Sequence, residues 1–591
     1  MKNIKNVFYM LGFVWRADKG GFAWMIAYNL FTIIPTAYKT LILKLIIDAI
    51  STKRPLSYIV ITVLLYALVS FAHSVFANYF YTNRVRGELG MRVKKYSNNL
   101  LLKKCASLDM ECYDDTEFYN KLSKALEQVN NRAVDVFLQL ESLLTGLVWF
   151  AVGIAVITTL DTLMIVVALI GAAATFYLNL GWAKQNYEAK EEMVPVNRRV
   201  DYFHGLLRDK KTISDVKQYN GFGDFILNKY NLAADKQIEM QQKLNNKGFI
   251  LQTKRSSIAN IVFTLFPYIH LAVQCSRGAV SAADITAMIQ AFNYVTDGFM
   301  EISMGFIDLK ESSMYITHLR EVLEYEPKIE RSEGRGISEI EKIEFESVSF
   351  KYPHSDSYVL KDLSITIKKG QKIAIVGING AGKTTFVKLL MRYYDPCEGR
   401  VLVNNIDIKE YNINSLRDKM ATLLQEFQPY NVPIDEMVAC SERTDEQKVE
   451  RVLSEVGLIE RINATPKKIK SEYSKMFDED GVVFSGGELQ KLFIARMRYK
   501  DGNIYIMDEP SSALDPISEY EINNLMMSIA EDKTVIMIAH RLSTVINADC
   551  ILLIDGGKVL EMGSHKQLLE QDGRYAQMFN LQAEQYQAAK A

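Results

Sequence analysis

Cysteine is scarce in this chain. Six residues, Cys105, Cys112, Cys275, Cys397, Cys440 and Cys550, are scattered without the spacing of a metal site. They read as reduced thiols of a mainly cytoplasmic protein. Excess charge of either sign is also missing, since the formal net charge is -1, and no nucleic-acid partner is expected. The N-terminus has no short apolar core followed by a small-residue cleavage site, so no cleaved signal peptide is expected; Met1 to Lys19 reads as an amphipathic helix. No internal repeat stands out. Charge is absent altogether from five stretches: Gly20–Tyr38, Pro55–Asn83, Ser142–Leu160, Thr162–Ala183 and Ser256–Ser276. Each is long enough to cross a hydrocarbon core of roughly 30 Å as a helix. A buried soluble helix explains one such stretch, but five in one half of a chain argue for a membrane domain.

Topology asks for a sixth span. Lys2, Lys5, Arg16 and Lys19 favour a cytoplasmic N-terminus. If the second half of the chain is a cytoplasmic ATPase, as its motifs below indicate, the crossings must be even in number. Val280 to Phe306, apolar but interrupted by Asp284 and Asp297, is the remaining candidate. The segments after the second and fourth spans are long, charged and poor in helix breakers. Arg84, Arg86, Arg92, Lys94, Lys95, Lys103 and Lys104 follow the second, on the expected inner side. These segments should prolong the membrane helices into the cytoplasm.

The second half carries the chemistry. Gly377-Ile378-Asn379-Gly380-Ala381-Gly382-Lys383-Thr384 fits the phosphate-cradling pattern G-x-x-x-x-G-K-[ST]. It lies between a strand-like run, Lys372 to Val376, and a helix-like run beginning at Thr385. Backbone N–H groups of such a loop point at phosphate, and the helix N-terminus adds partial positive charge. Lys383 would reach the β- and γ-phosphates of ATP, and Thr384 would ligate Mg²⁺. Asn503 to Pro510 reads as a buried parallel strand ending in two acids. Asp508 is then placed to hold Mg²⁺, and Glu509 to polarise the attacking water. Phe484-Ser485-Gly486-Gly487-Glu488 precedes a helical run and makes a second anion site. One P-loop cannot use both, so a second copy of the domain is expected to supply it across an interface.

With these motifs in order, the chain resembles the ATP-binding cassette transporters. Residues 484–488 depart from that family's Leu-Ser-Gly-Gly-Gln signature at both ends, and Glu488 adds a charge. The intact Ser485-Gly486-Gly487 implies contact with ATP in trans. By the same resemblance Tyr352 stacks on adenine, and Thr385 joins the P-loop contacts. Gln425, with Gln428 as a nearby rival, touches Mg²⁺ and the attacking water. Ser512 to Asp515 crosses the dimer interface, and His540 meets the γ-phosphate. Glu509, His540, Gln425 and Lys383 are thus the expected catalytic set. ATP is expected to be bound by Tyr352, Gly377, Asn379, Gly380, Ala381, Gly382, Lys383, Thr384, Thr385, Ser485, Gly486 and Gly487. Mg²⁺ falls to Thr384, Gln425 and Asp508.

The arrangement of spans resembles the six-helix exporters fused to one cassette. The expected organisation is multidomain. An N-terminal all-α six-helix transmembrane domain occupies residues 1–324, with spans at about 20–46, 56–83, 136–160, 162–184, 250–276 and 280–306. A linker follows at 325–340, then a C-terminal α/β P-loop ATPase domain at 341–580 and a tail at 581–591. Each inner segment should end in a short helix resting on the ATPase, at Tyr113–Tyr119 and at Ile213–Tyr219, with an ordinary loop apex as the alternative.

The implied function is ATP-driven export by alternating access. The protein is expected to be an integral multi-pass component of a bacterial inner membrane, with its ATPase in the cytoplasm. A homodimer is the simplest assembly, and a heterodimer with a related chain is the alternative. Peptides, lipids and amphipathic drugs are the candidate cargoes. Glu479-Asp480-Gly481-Val482-Val483-Phe484 resembles exporters of modified antimicrobial peptides and ranks a peptide first, although no cysteine-protease domain of leader-cleaving exporters is expected. A membrane ATPase that regulates a partner, and a soluble P-loop ATPase, are the competing classes. Asp297, Glu301 and Asp308 share one helical face. Asp297 is the best of the three as a cavity acid, and Lys254 and Arg255 either line the cavity or anchor its rim.

Overall fold

A computed structural model describes residues 2–160, 163–261, 265–278, 280–330, 333–424, 428–508, 522, 524–526, 528, 533–539 and 541–588. Contacts divide the chain into two units. One comprises Met1–Ala106 and Asn120–Tyr325, the other Ser107–Tyr119 and Glu326–Ala591.

The first unit is helical throughout. Helix α1 (Lys2–Ala17) is amphipathic and buries Met10, Phe13 and Val14. Asp18 caps α2 (Lys19–Ser51) by accepting from the Gly21 N–H at 2.9 Å. Helix α3 (Leu56–Asn78) continues through a π-helical stretch, Tyr79–Leu89, into α4 (Gly90–Ala106). The long helices α6 (Thr116–Leu160), α7 (Leu163–Leu206), α9 (Phe222–Asn260) and α11 (Ala282–Glu324) form the remaining bulk. The turn-like helix α5 (Glu111–Asp114), the short helix α8 (Lys210–Gln218) and the apolar α10 (Phe266–Ser276) complete the set. A Ser281–Asp284 capping box starts α11. Near its far end, α11 receives α1: buried Asn6 donates to the Ser313 carbonyl at 2.8 Å and accepts from Arg320 at 3.2 Å. Among the described residues, two segments, Leu56–Ala106 and Leu138–Thr158, are long and apolar enough to cross a membrane, and Met164–Ala174 is a shorter apolar helix.

Helices α6 and α11 touch backbone to backbone. A Cβ on Gly298 would lie 2.5 Å from the Phe150 nitrogen and 2.7 Å from the Gly146 carbonyl. A Cβ on Gly153 would lie 2.7 Å from the Ala291 carbonyl. Small residues are what permits so close an approach, and it is how helices gain packing energy where apolar burial gives little advantage. Ile157, Met164, Ala168, Leu271, Met288 and Phe292 fill the space beside this contact. Gly298→Leu should therefore force the pair apart and cost about 1–3 kcal/mol. That is expected to lower the melting temperature of the detergent-purified protein. Gly205→Ala, which meets open space, should leave it unchanged; equal behaviour of the two variants would contradict this packing.

The second unit holds two sheets. A four-stranded antiparallel sheet has the order β2-β1-β4-β5, formed by Leu360–Lys368, Lys342–Phe350, Glu398–Val403 and Ile406–Asp407. The other runs β10-β9-β3-β8-β7-β6. Its strands β3 (Lys372–Val376), β6 (Met420–Leu423), β7 (Ile504–Asp508), β8 (Thr534–Ile538) and β9 (Cys550–Asp555) are parallel, and β10 (Lys558–Gly563) is antiparallel at the edge. Strands β7 and β8 are buried along their whole length, which accounts for their unbroken apolar character. A core around Phe345 and Phe386, stacked with centroids 4.3 Å apart, joins the two sheets. A second core gathers Leu423, Val438, Leu453, Phe493 and Met507 under a helical layer. The expected linker is partly structural here: Ile329, Ile337 and Ile340 are buried in the first core.

Candidate nucleotide site

The site begins at the C-terminal end of β3. Ile375 of β3 and Asp508 of β7 both pair with Ile538 of the strand between them. The register therefore brings the start of the Gly377 loop level with the carboxylate that ends β7. Gly377 runs so close to β9 that a Cβ would sit 2.2 Å from the Ile554 carbonyl. Gly382 has φ 104° and precedes α12 (Lys383–Leu390); its Cβ would sit 2.7 Å from Leu360. The loop thus keeps a bare backbone concavity at a helix N-terminus, which suits phosphate. Lys383 is 6% exposed, and its ammonium folds over the loop, donating to the Gly377 carbonyl at 3.0 Å and the Ile378 carbonyl at 3.1 Å. Thr384 donates its hydroxyl to Asp508 across 3.2 Å. A hydroxyl and a buried carboxylate in contact form a hard-oxygen donor set that fits Mg²⁺.

Tyr352 lies beside this loop. Its hydroxyl is 3.1 Å from the Thr385 hydroxyl, and the Lys388 ammonium sits 5.2 Å from its ring centroid. Asn379 and Gly380 are exposed on the loop and Ala381 is buried beneath it. Glu509, Gln425, His540 and residues 512–515 lie outside the described residues, while the rival Gln428 is exposed.

Ser485 caps α13 (Gly486–Lys500), a helix packed on the edge strand β6 and its neighbouring short helices. Strands β7 and β8 separate β6 from the P-loop strand. Ser485 and Gly486 are exposed. The unusual Glu488 turns back on its own helix: its carboxylate accepts from the Ser485 backbone N–H at 2.9 Å and from the Ser485 hydroxyl at 3.0 Å, and it pairs with Arg461 at 3.2 Å. The Ser485 N–H, outweighing partial burial and aided by the Ser485 hydroxyl and Arg461, holds this carboxyl below the usual range.

Elsewhere, Glu301 of α11 accepts from Ser142 of α6, and Asp297 and Lys254 are exposed. Two residues escaped the sequence reading. Buried Asp109 accepts from the backbone N–H groups of Lys328, Ile329 and Glu330 at 2.7, 3.0 and 2.9 Å. Tyr394 donates its hydroxyl to Asp114. The expected contact segment Tyr113–Tyr119 therefore begins earlier, at Ser107, and belongs to the ATPase unit. A lone acid between two apolar residues, Leu108-Asp109-Met110, was the only hint.

A P-loop at the end of a parallel strand, with a carboxylate level with it two strands away, defines a nucleoside triphosphatase. Residues 360–512 match the family described as ABC transporter. The chain is 26% identical to the subtilin transport ATP-binding protein SpaT of Bacillus subtilis, across 98% of this chain and 94% of that protein. It is 32% identical to the ATP-dependent lipid A-core flippase of Burkholderia thailandensis, across 63% of this chain and 61% of that protein. A bacterial Atm1-family ABC exporter solved with ATP bound has the same fold, with a TM-score of 0.77, 22% identity, and 95% and 98% of the two chains covered. Residues 360–512 thus carry an ABC transporter domain, and the chain is similar along nearly its whole length to ABC exporters, ATPases that couple ATP hydrolysis to transport.

Two outcomes follow from the geometry. Gly377→Ala should abolish ATP binding without unfolding the helical unit, because its methyl group collides with β9; binding within twofold of the parent, read by fluorescent nucleotide titration, would contradict the cradle. Glu488 has a depressed carboxyl. Its stabilisation is complete above the unfolded value of about 4.3 and fades as pH falls through the lower folded value. The melting-temperature gap between parent and Glu488→Gln should thus narrow on acidification, and a gap that widened would overturn this account.

Proposed function

We propose that two copies of this chain clamp two ATP molecules, each between the Lys383 loop of one copy and the Ser485 helix of the other. The observation that carries this reading is the separation of the two anion-binding helix ends. Ser485 and Gly486 are exposed on a helix at the β6 edge, whereas Lys383 lies at β3. One copy then offers each nucleotide only half of its contacts. A closed two-fold pairing is the simplest way to complete both.

In this reading ATP draws the Lys383 ammonium from the Gly377 and Ile378 carbonyls onto phosphate oxygens. Tyr352 stacks on the base. Gly377, Asn379, Gly380, Ala381, Gly382, Thr384 and Thr385 wrap the phosphates. Thr384, Asp508 and Gln425 would hold Mg²⁺, which when bound neutralises charge on the β- and γ-oxygens. Glu509 takes the proton of the attacking water, and Gln425 and His540 orient water and γ-phosphate. ATP favours the closed pair and its hydrolysis products do not, and this difference in binding energy drives the exchange of access.

The helical unit is read as crossing a bacterial inner membrane six times at the expected spans, with the ATPase on the cytoplasmic side. For cargo we favour a peptide, supported by the SpaT relative that aligns along nearly the whole chain. A lipid is the second reading, supported by the flippase relatives, whose alignment is narrower.

Glu509→Gln should bind ATP but nearly stop turnover and trap the closed pair; near-normal phosphate release would refute the role of Glu509. Mixing Lys383→Ala with Ser485→Arg protein tests the sharing of the site. Each alone should be inactive, while mixed dimers regain one complete site and measurable phosphate release. No recovery after proven subunit exchange would sink the shared site.

A further inference from the structure

Lys388 stands on the base side of the nucleotide site, and among the described residues no carboxylate pairs with it. It lies on α12, one turn beyond Thr385, so the two side chains share a helix face. Tyr352 is laid along that face. Its hydroxyl is 3.1 Å from the Thr385 hydroxyl, and the Lys388 ammonium sits 5.2 Å from its ring centroid. The same ammonium is 5.9 Å from the centroid of Tyr394, so two phenol rings hold one cation. The rings are themselves fixed. Tyr352 and Tyr394 meet edge-on with centroids 5.4 Å apart at 85°, and Phe350 packs against them at 5.1 and 5.4 Å. The Asp395 carboxylate, further along the chain, is engaged by Arg392 at 3.2 Å and Lys409 at 4.0 Å. Lys388 is half-buried, and partial loss of water strengthens the attraction between a cation and an aromatic face.

We propose that Lys388 is a positioning residue for the nucleotide base: its cation holds the Tyr352 ring from one face and so strengthens stacking on the other. The inference rests on the reading of Tyr352 as the residue that stacks on the base. Two electron-rich π faces repel, which is why aromatic pairs avoid the direct face-to-face sandwich. An ammonium behind the ring pulls π density toward itself and lessens that repulsion at the open face. The Thr385 contact pins the far end of the same ring. Tyr352 is thus presented in one orientation before nucleotide arrives, and the base does not have to order it. A direct pull of Lys388 on the phosphates would act differently. It would favour ATP over ADP, whereas a contact made through the base treats the two alike.

The test is titration of ATP and ADP, and the steady-state kinetics of ATP hydrolysis, on the full-length protein in lipid nanodiscs. Lys388→Met keeps an unbranched chain and removes the charge. It should weaken ATP and ADP binding equally, by about threefold to tenfold, and raise KM by a similar factor with kcat within twofold of the parent. Lys388→Arg, which returns a cation to the ring, should recover most of the loss. In a Tyr352→Leu background, Lys388→Met should add nothing further, since the ring through which it acts is gone. Parent-like binding by Lys388→Met would overturn the proposal. So would a loss that is larger for ATP than for ADP, or one that persists undiminished beside Tyr352→Leu. The base-stacking reading fails separately, if Tyr352→Leu alone binds ATP as tightly as the parent; weak binding by that variant with parent-like Lys388→Met sinks only the role of Lys388.

Discussion

The parallel register of β3, β8 and β7 is the constraint on which the nucleotide site depends. Because Ile375 and Asp508 share Ile538 as a pairing partner, the glycine loop and the carboxylate emerge at one level of the sheet. Thr384 can then reach Asp508 across 3.2 Å. Slipping a strand by one residue would turn its side chains to the opposite face and open this contact. The apolar burial of the three strands is therefore what holds the polar groups in place. Thr384 and Asp508 ride on a core that forbids sliding.

The same sheet supports the proposal that two copies share each nucleotide. Its width separates the P-loop strand from β6, on whose side the Ser485 helix packs. Ser485 and Gly486 are exposed at that helix end. Glu488, which replaces the family's glutamine, spends its charge on the Ser485 N–H and on Arg461. A carboxylate held in this way stabilises the helix end, and it also engages the hydroxyl that ATP would need. The departure from the signature thus bears on how readily Ser485 is released to a nucleotide.

Much of this was legible in the chain. The P-loop, Asp508 and the Ser485 helix announce themselves because glycine, lysine and acid at fixed spacing have few other uses beside apolar strands. The long charge-free stretches likewise announced helices, and α2, α3, α6, α7 and α11 run through them or their expected neighbours. What could not be read were contacts between distant segments. Asp109 gives no local sign that it will accept from Lys328, Ile329 and Glu330, more than two hundred residues away. Tyr394 reads as a core aromatic until Asp114 is found against it. Gly146 and Gly298 look like helix-weakening residues in isolation, and only their mutual approach reveals why no side chain fits there. Sequence patterns report on a residue's own strand or helix, whereas these features exist only after the chain has folded back.

The central claim is that nucleotide lies between the Lys383 loop of one copy and the Ser485 helix of another. Its most direct test is disulfide trapping between Asn379→Cys and Ser485→Cys, in protein whose six native cysteines have been replaced. With ATP and no Mg²⁺, a covalent dimer should form rapidly, and it should form far less without nucleotide. A link confined within single chains, or no link between chains when ATP is bound, would contradict the account.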